Sequence, residues 1–350
     1  MKTLEQKIVE YKSRVPSVIE NEPMAKHTSF RIGGPARMYV VAVSSDALIE
    51  AVRVAQDLEI PFYVFGGGSN LLVADEGFEG VVIQAANRGF VIEHDRVQVE
   101  SGMITVLAAR KTVDAGLTGF EWAVGVPGTI GGALYGNAGC YGGEMKDNVS
   151  FVDAYRLKDG VRIRLSNAEC QYGYRDSLFK REPHVILGCE LKLIHSSVIP
   201  AEDFGERHSA ELSRSLSRTA GIHPTAPFDQ ILRARKESQP LDQSSAGCVF
   251  KNFDFTDESQ LDILRRYVNQ IPEAMLRVKR LSAGWLVEQA GMKGQRIGDV
   301  QVSDKHGNFF LNRGHARAQD VIALISLVKM NVRDKLGIEL QEEVQYLSLS

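Results

Sequence analysis

The stretch Phe62-Tyr63-Val64-Phe65-Gly66-Gly67-Gly68-Ser69-Asn70, followed by LLVADEGFEGVVIQ (71–84), decides how this chain is to be read. Four β-forming residues run into three glycines, so a strand empties into a loop whose backbone reaches angles other residues avoid. Successive N–H groups in such a loop can converge on an anion. The segment after it has the pattern of short strands and turns, not of a helix. A P-loop is excluded, because it needs a Gly-Lys-Ser/Thr ending and a helix N-terminus to receive phosphate. A Rossmann loop is excluded too, since Gly-x-Gly-x-x-Gly is missing. Taken alone, such a loop is more often a tight structural turn than a ligand cradle.

A second glycine cluster changes that balance. Val126-Pro127-Gly128-Thr129-Ile130-Gly131-Gly132-Ala133, then Gly136-Asn137-Ala138-Gly139, repeatedly removes side chains from one stretch. Two such clusters suit a long ligand lying against bare backbone. A dinucleotide such as FAD has that shape, and its pyrophosphate needs N–H donors where cationic side chains are scarce.

Working outward, Leu4, Ile8 and Tyr11 recur at helical steps and predict an opening helix. A helix is predicted from about 46 to 59, started by Ser44 or Ser45 and stopped before Pro61. Val97 and Val99 alternate in a strand, a helix runs from Thr105 to Gly116, Lys158-Asp159-Gly160 turns a hairpin, and residues 185–193 form a strand. Phe204, Leu212 and Leu216 share one stripe and predict a connecting helix over 203–220. The second half predicts a short helix at 283–290, a hairpin of 299–302 with 308–311, and a long amphipathic helix at 320–336. Val321, Leu324, Val328 and Leu336 line the buried face of that helix, with Gly337 as its cap. The fold class is α+β in two large pieces.

At 350 residues, 44% hydrophobic and 24% charged, the chain has the make-up of a soluble globular protein of more than one domain. A formal charge of −3 gives no surface for nucleic acid. No apolar run approaches the ~20 residues of a membrane span. The first residues, MKTLEQKIVEYKSRV, lack the apolar region of a secretory leader. Cys140, Cys170, Cys189 and Cys248 show neither CxxC nor zinc spacing. The expectation is a cytoplasmic protein with reduced thiols, no metal and no membrane partner.

Six ordered blocks then carry a resemblance. GGGSNLLV, VPGTIGGALYGNAG, YGYRDS (172–177), SAGCVFKN (245–252), AGWLVEQAGMKGQRIGDVQVSDKHGNFFLN (283–312) and GIELQEEVQYL (337–347) together resemble the UDP-N-acetylenolpyruvoylglucosamine reductase family over roughly residues 20–347. The resemblance implies a two-lobed FAD-binding domain of the vanillyl-alcohol-oxidase type, followed by an α+β substrate-binding domain. The implied division is a lead-in at 1–26, the FAD domain at 27–195, a connecting segment at 196–221 and the substrate domain at 222–350. It further implies non-covalent FAD, NADPH as hydride source, and a sugar nucleotide bearing an enolpyruvyl ether as substrate; a monomer is expected. RARKESQP (233–240) resembles the shorter of the family's two forms, which lacks a tyrosine-bearing loop.

Adding hydride to that ether puts negative charge beside a carboxylate, so donors must already be aimed at its oxygens and a proton must come from one face. By resemblance Arg175 is the catalytic arginine; guanidinium is always charged and grips carboxylates with paired hydrogen bonds. Read alone, it is a surface salt-bridge residue. Glu343 matches the family's catalytic glutamate, on what is expected to be the last strand, with a raised pKa or in a protonated, hydrogen-bonding role. Glu342 is expected on the opposite, solvated face. Cys248 departs from the commoner pattern: many relatives carry serine there as proton donor, and a thiol can take that role.

Gly66, Gly67, Gly68, Ser69, Asn70, Leu71, Gly128, Thr129, Gly131 and Gly132 are the implied cofactor contacts. Tyr174, Arg235, Lys251 and Asn252 are the implied substrate contacts. Relatives often have lysine where Ser238 stands, so the diphosphate grip falls to Arg235 or Lys236. His306 is assigned a structural place in a hairpin, and the other three cysteines are read as inert. Two rivals stand beside this reading: an FAD-dependent oxidase of the same cofactor class, and a flavin-binding protein without catalysis.

Overall fold

The structure, a computed structural model, describes residues 2–195 and 228–347. The connecting helix expected over 203–220 lies outside them. Contacts cluster into two units that alternate along the chain. The first takes the described residues up to Glu22, Ala36–Gly67 and those of Phe78–Leu232; the second takes Pro23–Pro35, Gly68–Gly77 and everything described from Arg233 onward.

In the first unit, Pro35–Ala42 and Phe62–Phe65 flank Phe78–Ala85, both parallel to it, and Ile19–Pro23 lies beyond Pro35–Ala42. Parallel strands need a long connection, and the helix Ser45–Asp57 provides one. Ser44 starts it by accepting the Ala47 N–H at 3.1 Å. Its Leu48, Val52 and Ala55 bury against Met38, Val40, Val81 and Ile83, joined by Ile8 and Tyr11 of the opening helix Leu4–Arg14. Burial of such aliphatic side chains contributes roughly 1.5–3 kcal/mol each.

A five-stranded antiparallel sheet completes this unit, in the order 161–166, 149–156, 184–192, 96–100, 90–93. The hairpin turns at Lys158-Asp159-Gly160, where Gly160 adopts φ +69°. A second core gathers Phe120, Trp122, Ile130 and Leu134 with Val97 and Val99 of the sheet. The indole N–H of buried Trp122 is satisfied by Asn148 Oδ1 at 3.0 Å.

The second unit has one core, from Phe30, Ile32 and Leu72 to Val344. The helix Ala318–Leu336 buries Val321, Leu324, Val328 and Leu336 and ends on Gly337 at φ +69°. Its first N–H groups have no cap of their own. Asp75, 243 residues away in sequence, accepts from Ala318 at 2.8 Å and its second oxygen from Gln319 at 3.2 Å. A carboxylate at that end also opposes the positive pole of the helix. Just before Asp75, Leu71–Val73 pairs in parallel with the last strand, Gln345–Leu347. Val300–Val302 and Phe310–Asn312 form the expected hairpin. Among the described residues no helix is long and apolar enough to cross a membrane, and no cluster of His, Cys, Asp and Glu is set to hold a metal.

Candidate active site

In the first unit the two glycine clusters meet backbone to backbone. A Cβ on Gly67 would stand 3.0 Å from Gly128 Cα, and one on Gly66 only 2.0 Å from Thr129 Oγ1. Glycine here is a packing requirement as well as a turn preference. Among the described residues no loop, turn or cap hydrogen bond uses the N–H of Gly66, Gly67 or Gly128. Thr129 Oγ1 is buried with no hydrogen-bond partner. Buried polar groups are normally satisfied, so open donors beside an orphan hydroxyl fit an acceptor-rich ligand. Gly131 is engaged otherwise: its N–H donates to Ser101 at 2.8 Å and its Cα packs on that residue. Gly132 sits inside the short helix Ile130–Tyr135, which the glycine content hides in the sequence.

The rest of the first loop belongs to the second unit. Gly68, at φ +61°, accepts the Ser29 N–H at 3.1 Å. The Ser29 hydroxyl lies 3.3 Å from the same carbonyl and 2.7 Å from that of Ser245, so it clamps this loop to the Ser245-Ala246-Gly247-Cys248 loop. The Ser69 carbonyl lies 3.9 Å from where a Cβ of Gly247 would stand. Asn70 donates from Nδ2 to the Glu343 carbonyl at 3.0 Å, while its Oδ1 is buried without a partner. Leu71 is core, opposite Gln345.

Cys248 and Glu343 come together on one framework. The Glu343 N–H donates to the carbonyl of Val249, beside Cys248, at 2.8 Å. On the other side Val249 donates to Asn308 O at 2.9 Å, and Cys248 bridges Phe309. Buried Asn308 grips both backbone groups of Phe250, at 2.9 and 2.8 Å. Sequence reasoning missed Asn308; its one signal was an asparagine after glycine in the hairpin.

Two expectations need correction. The last strand is Gln345–Leu347, so Glu343 precedes it. Glu342 is half-buried, not solvated: Lys329 and the Tyr346 hydroxyl donate to its carboxylate at 2.7 and 2.5 Å. Burial pushes that carboxyl up, but these hydrogen bonds and the Lys329 charge outweigh it and hold it below the usual range.

Arg175 is carried by the first unit, in a turn with φ +53°. Its Nη2 donates to the Gly139 carbonyl at 3.0 Å, and its guanidinium carbon lies 5.2 Å from the Tyr174 ring centre. In the second unit Lys251 donates its N–H to Gln341 O at 2.8 Å, and Asn252 Oδ1 accepts from Ala283, the first residue of the helix Ala283–Gln289, at 3.0 Å. Arg235, on the helix Phe228–Ser238, donates from Nη2 to Gln239 and keeps a buried Nε without a partner. The Lys236 carbonyl accepts from Lys305, and Ser238 bonds back to Ala234.

His306 has the structural setting expected of it. Its Nδ1 accepts the Asn308 N–H at 3.2 Å and its ring packs edge-on to Phe309. Burial, then the Lys293 charge, push its pKa below the ordinary value. No disulfide joins any of the four cysteines. Burial raises the Cys170 thiol to about 11 and Cys189 higher still.

Residues 239–347 match the family described as UDP-N-acetylenolpyruvoylglucosamine reductase, C-terminal domain. Residues 36–166 match an FAD binding domain. The UDP-N-acetylenolpyruvoylglucosamine reductase of Caldanaerobacter subterraneus subsp. tengcongensis is 35% identical over 93% of this chain and 92% of its own length. The chain belongs to this reductase family. The same-named protein of Chloroflexus aurantiacus is 36% identical over 93% of this chain and 96% of its own. The crystal structure of the reductase from Thermus caldophilus superposes with a TM-score of 0.66 at 30% identity, over 94% of this chain and 98% of that one. As a family member the chain is an FAD-dependent oxidoreductase, a UDP-N-acetylenolpyruvoylglucosamine reductase of peptidoglycan synthesis, and the C-terminal match sets the oxidase alternative aside.

Proposed function

We propose that this chain uses NADPH to reduce the enolpyruvyl ether of UDP-N-acetylglucosamine enolpyruvate to UDP-N-acetylmuramate, with Arg175, Cys248 and Glu343 as catalytic residues. The observation that carries this reading is the 2.8 Å bond from Glu343 N–H to the Val249 carbonyl. It ties the segment bearing a proton-donating thiol to the segment bearing a carboxyl.

FAD fits the first unit, where the open N–H groups of Gly66, Gly67 and Gly128 and the orphan Thr129 Oγ1 would take its pyrophosphate. Gly131 and Gly132, in the same unit, would shape that site. Bound FAD would supply the hydride, drawn from NADPH and delivered to the terminal vinyl carbon. Arg175 grips the substrate carboxylate and stabilises the charge that builds on its oxygens. The Cys248 thiol gives its proton to the carbon next to the carboxylate and regains one from solvent. Glu343, protonated, adds a hydrogen bond to the developing charge. Tyr174, Lys251, Asn252 and Arg235 hold the sugar nucleotide, the protein acting as a cytoplasmic monomer.

Stopped-flow spectroscopy separates the two halves of the cycle. Arg175→Ala is expected to leave bleaching of the flavin by NADPH intact and to slow its reoxidation by substrate. Equal loss in both halves would mean that Arg175 is not the carboxylate grip. Absence of turnover in the wild type would leave a flavin-binding protein without catalysis.

A further inference from the structure

The turn that carries Arg175 is held in a conformation the residue itself disfavours. At φ +53° Arg175 lies in the left-handed region, which a long side chain occupies only where the surroundings over-determine it. Gly173 and Asp176 close the turn on each other, N–H to carbonyl, at 3.0 and 3.3 Å. Two side chains from outside then tie it down. Asn137 donates from Nδ2 to the Gly173 carbonyl at 2.8 Å, and Lys180 donates to the Arg175 carbonyl at 2.7 Å.

Asn137 is fully buried and its amide is fully engaged. Nδ2 also donates to the Glu144 carboxylate at 3.0 Å, and Oδ1 accepts the Lys146 N–H at 3.0 Å. Glu144 pairs with Gly139 across a short hairpin and Lys146 sits in the helical turn Met145–Asn148 that follows; the Gly139 carbonyl receives the Arg175 guanidinium at 3.0 Å. The backbone of Arg175 and the rest for its guanidinium are thus both referenced to one buried amide. Its own φ of +42° is one that asparagine tolerates and few other residues do.

We infer that Asn137 is a positioning residue for Arg175: it holds the 173–176 turn so that the guanidinium is presented in one orientation before substrate arrives. This rests on the reading of Arg175 as the carboxylate grip. Holding a reacting group to a fraction of an ångström is worth large factors in rate, and a 1 Å misplacement can cost about 10²-fold.

Asn137→Gly tests it, since glycine keeps the left-handed backbone while removing all three hydrogen bonds. The variant should retain FAD and normal flavin reduction by NADPH. Flavin reoxidation by UDP-N-acetylglucosamine enolpyruvate should slow about 10–100-fold, as a loss in the limiting rate rather than in substrate affinity. In an Arg175→Ala background the same change should add less than about twofold, because its lever is gone. Unaltered reoxidation, equal slowing of both half-reactions, or full additivity with Arg175→Ala would make Asn137 a general structural residue and overturn the inference. If Arg175→Ala alone left reoxidation intact, the reading beneath it would fall instead. Should Asn137→Gly not fold, Lys180→Met cuts the other tether. It is expected to slow reoxidation alone and non-additively with Arg175→Ala, and additivity or no effect overturns the inference as before.

Discussion

Asn308 treats Phe250 as a neighbouring strand would, its Oδ1 accepting the Phe250 N–H at 2.9 Å and its Nδ2 donating to the Phe250 carbonyl at 2.8 Å. Both residues are buried, so one amide satisfies two backbone groups that water cannot reach. Asn308→Ala would strand them, at a cost of about 1–3 kcal/mol for each. Urea unfolding should show a midpoint lowered accordingly with the slope unchanged. An unshifted midpoint would mean that another group takes over both bonds.

Gly66 should control cofactor loading. A methyl there meets Thr129 Oγ1 at 2.0 Å, and overpacking of this kind costs about 1–3 kcal/mol, a factor of roughly 5–150 in binding. Gly66→Ala should purify with less FAD per chain and titrate more weakly by quenching of FAD fluorescence. Thr129→Ala in the same chain should recover part of the loss. Full-strength FAD binding by Gly66→Ala alone would contradict the contact.

Cys248 should be alkylated where the buried thiols are not. Cys170, raised to about 11, and Cys189 stay protonated at pH 8.5, whereas Cys248 is only half-buried. Iodoacetamide should inactivate the wild type, substrate should protect it, and Cys248→Ser should keep activity and resist the reagent. Cys248→Ala should slow flavin reoxidation by roughly 10²–10⁴-fold. A Cys248→Ala enzyme turning over at wild-type rate would retire the proton-donor assignment.

His306 should make the fold acid-sensitive. Its folded pKa is depressed, by burial first. The neutral ring therefore favours the native state above the unfolded value, about 6.5, and that advantage is lost as pH falls through the folded pKa. His306→Asn keeps an acceptor for the Asn308 N–H and cannot charge. Between pH 7 and 5 its Tm should fall less than that of the wild type; parallel curves would show that His306 does not titrate on unfolding.

Local pattern carries much of this structure. Ser44 and Gly337 mark helix ends because capping is chemistry between near neighbours. The three-glycine loop is visible as a loop from residue identity alone, and Cys248 as a departure only against the pattern of the family it resembles. What stays hidden depends on distant partners. Nothing near Asp75 announces a cap for a helix 243 residues on. Glu342 looks solvated in sequence because Lys329 and Tyr346 meet it only in the folded unit. Asn137 reads as one letter of a glycine cluster; its weight comes from Gly173, 36 residues further along the chain.

The alternation of the two units along the chain has a consequence for synthesis. Phe30, Ile32 and Leu72 belong to a core whose other members, from Ala246 to Val344, leave the ribosome long after them. At roughly 5–20 residues per second, those apolar side chains wait on the order of ten seconds or more for partners. For that interval the nascent chain offers them to chaperones and to other nascent copies. A fragment ending before residue 246 would leave them without the rest of that core.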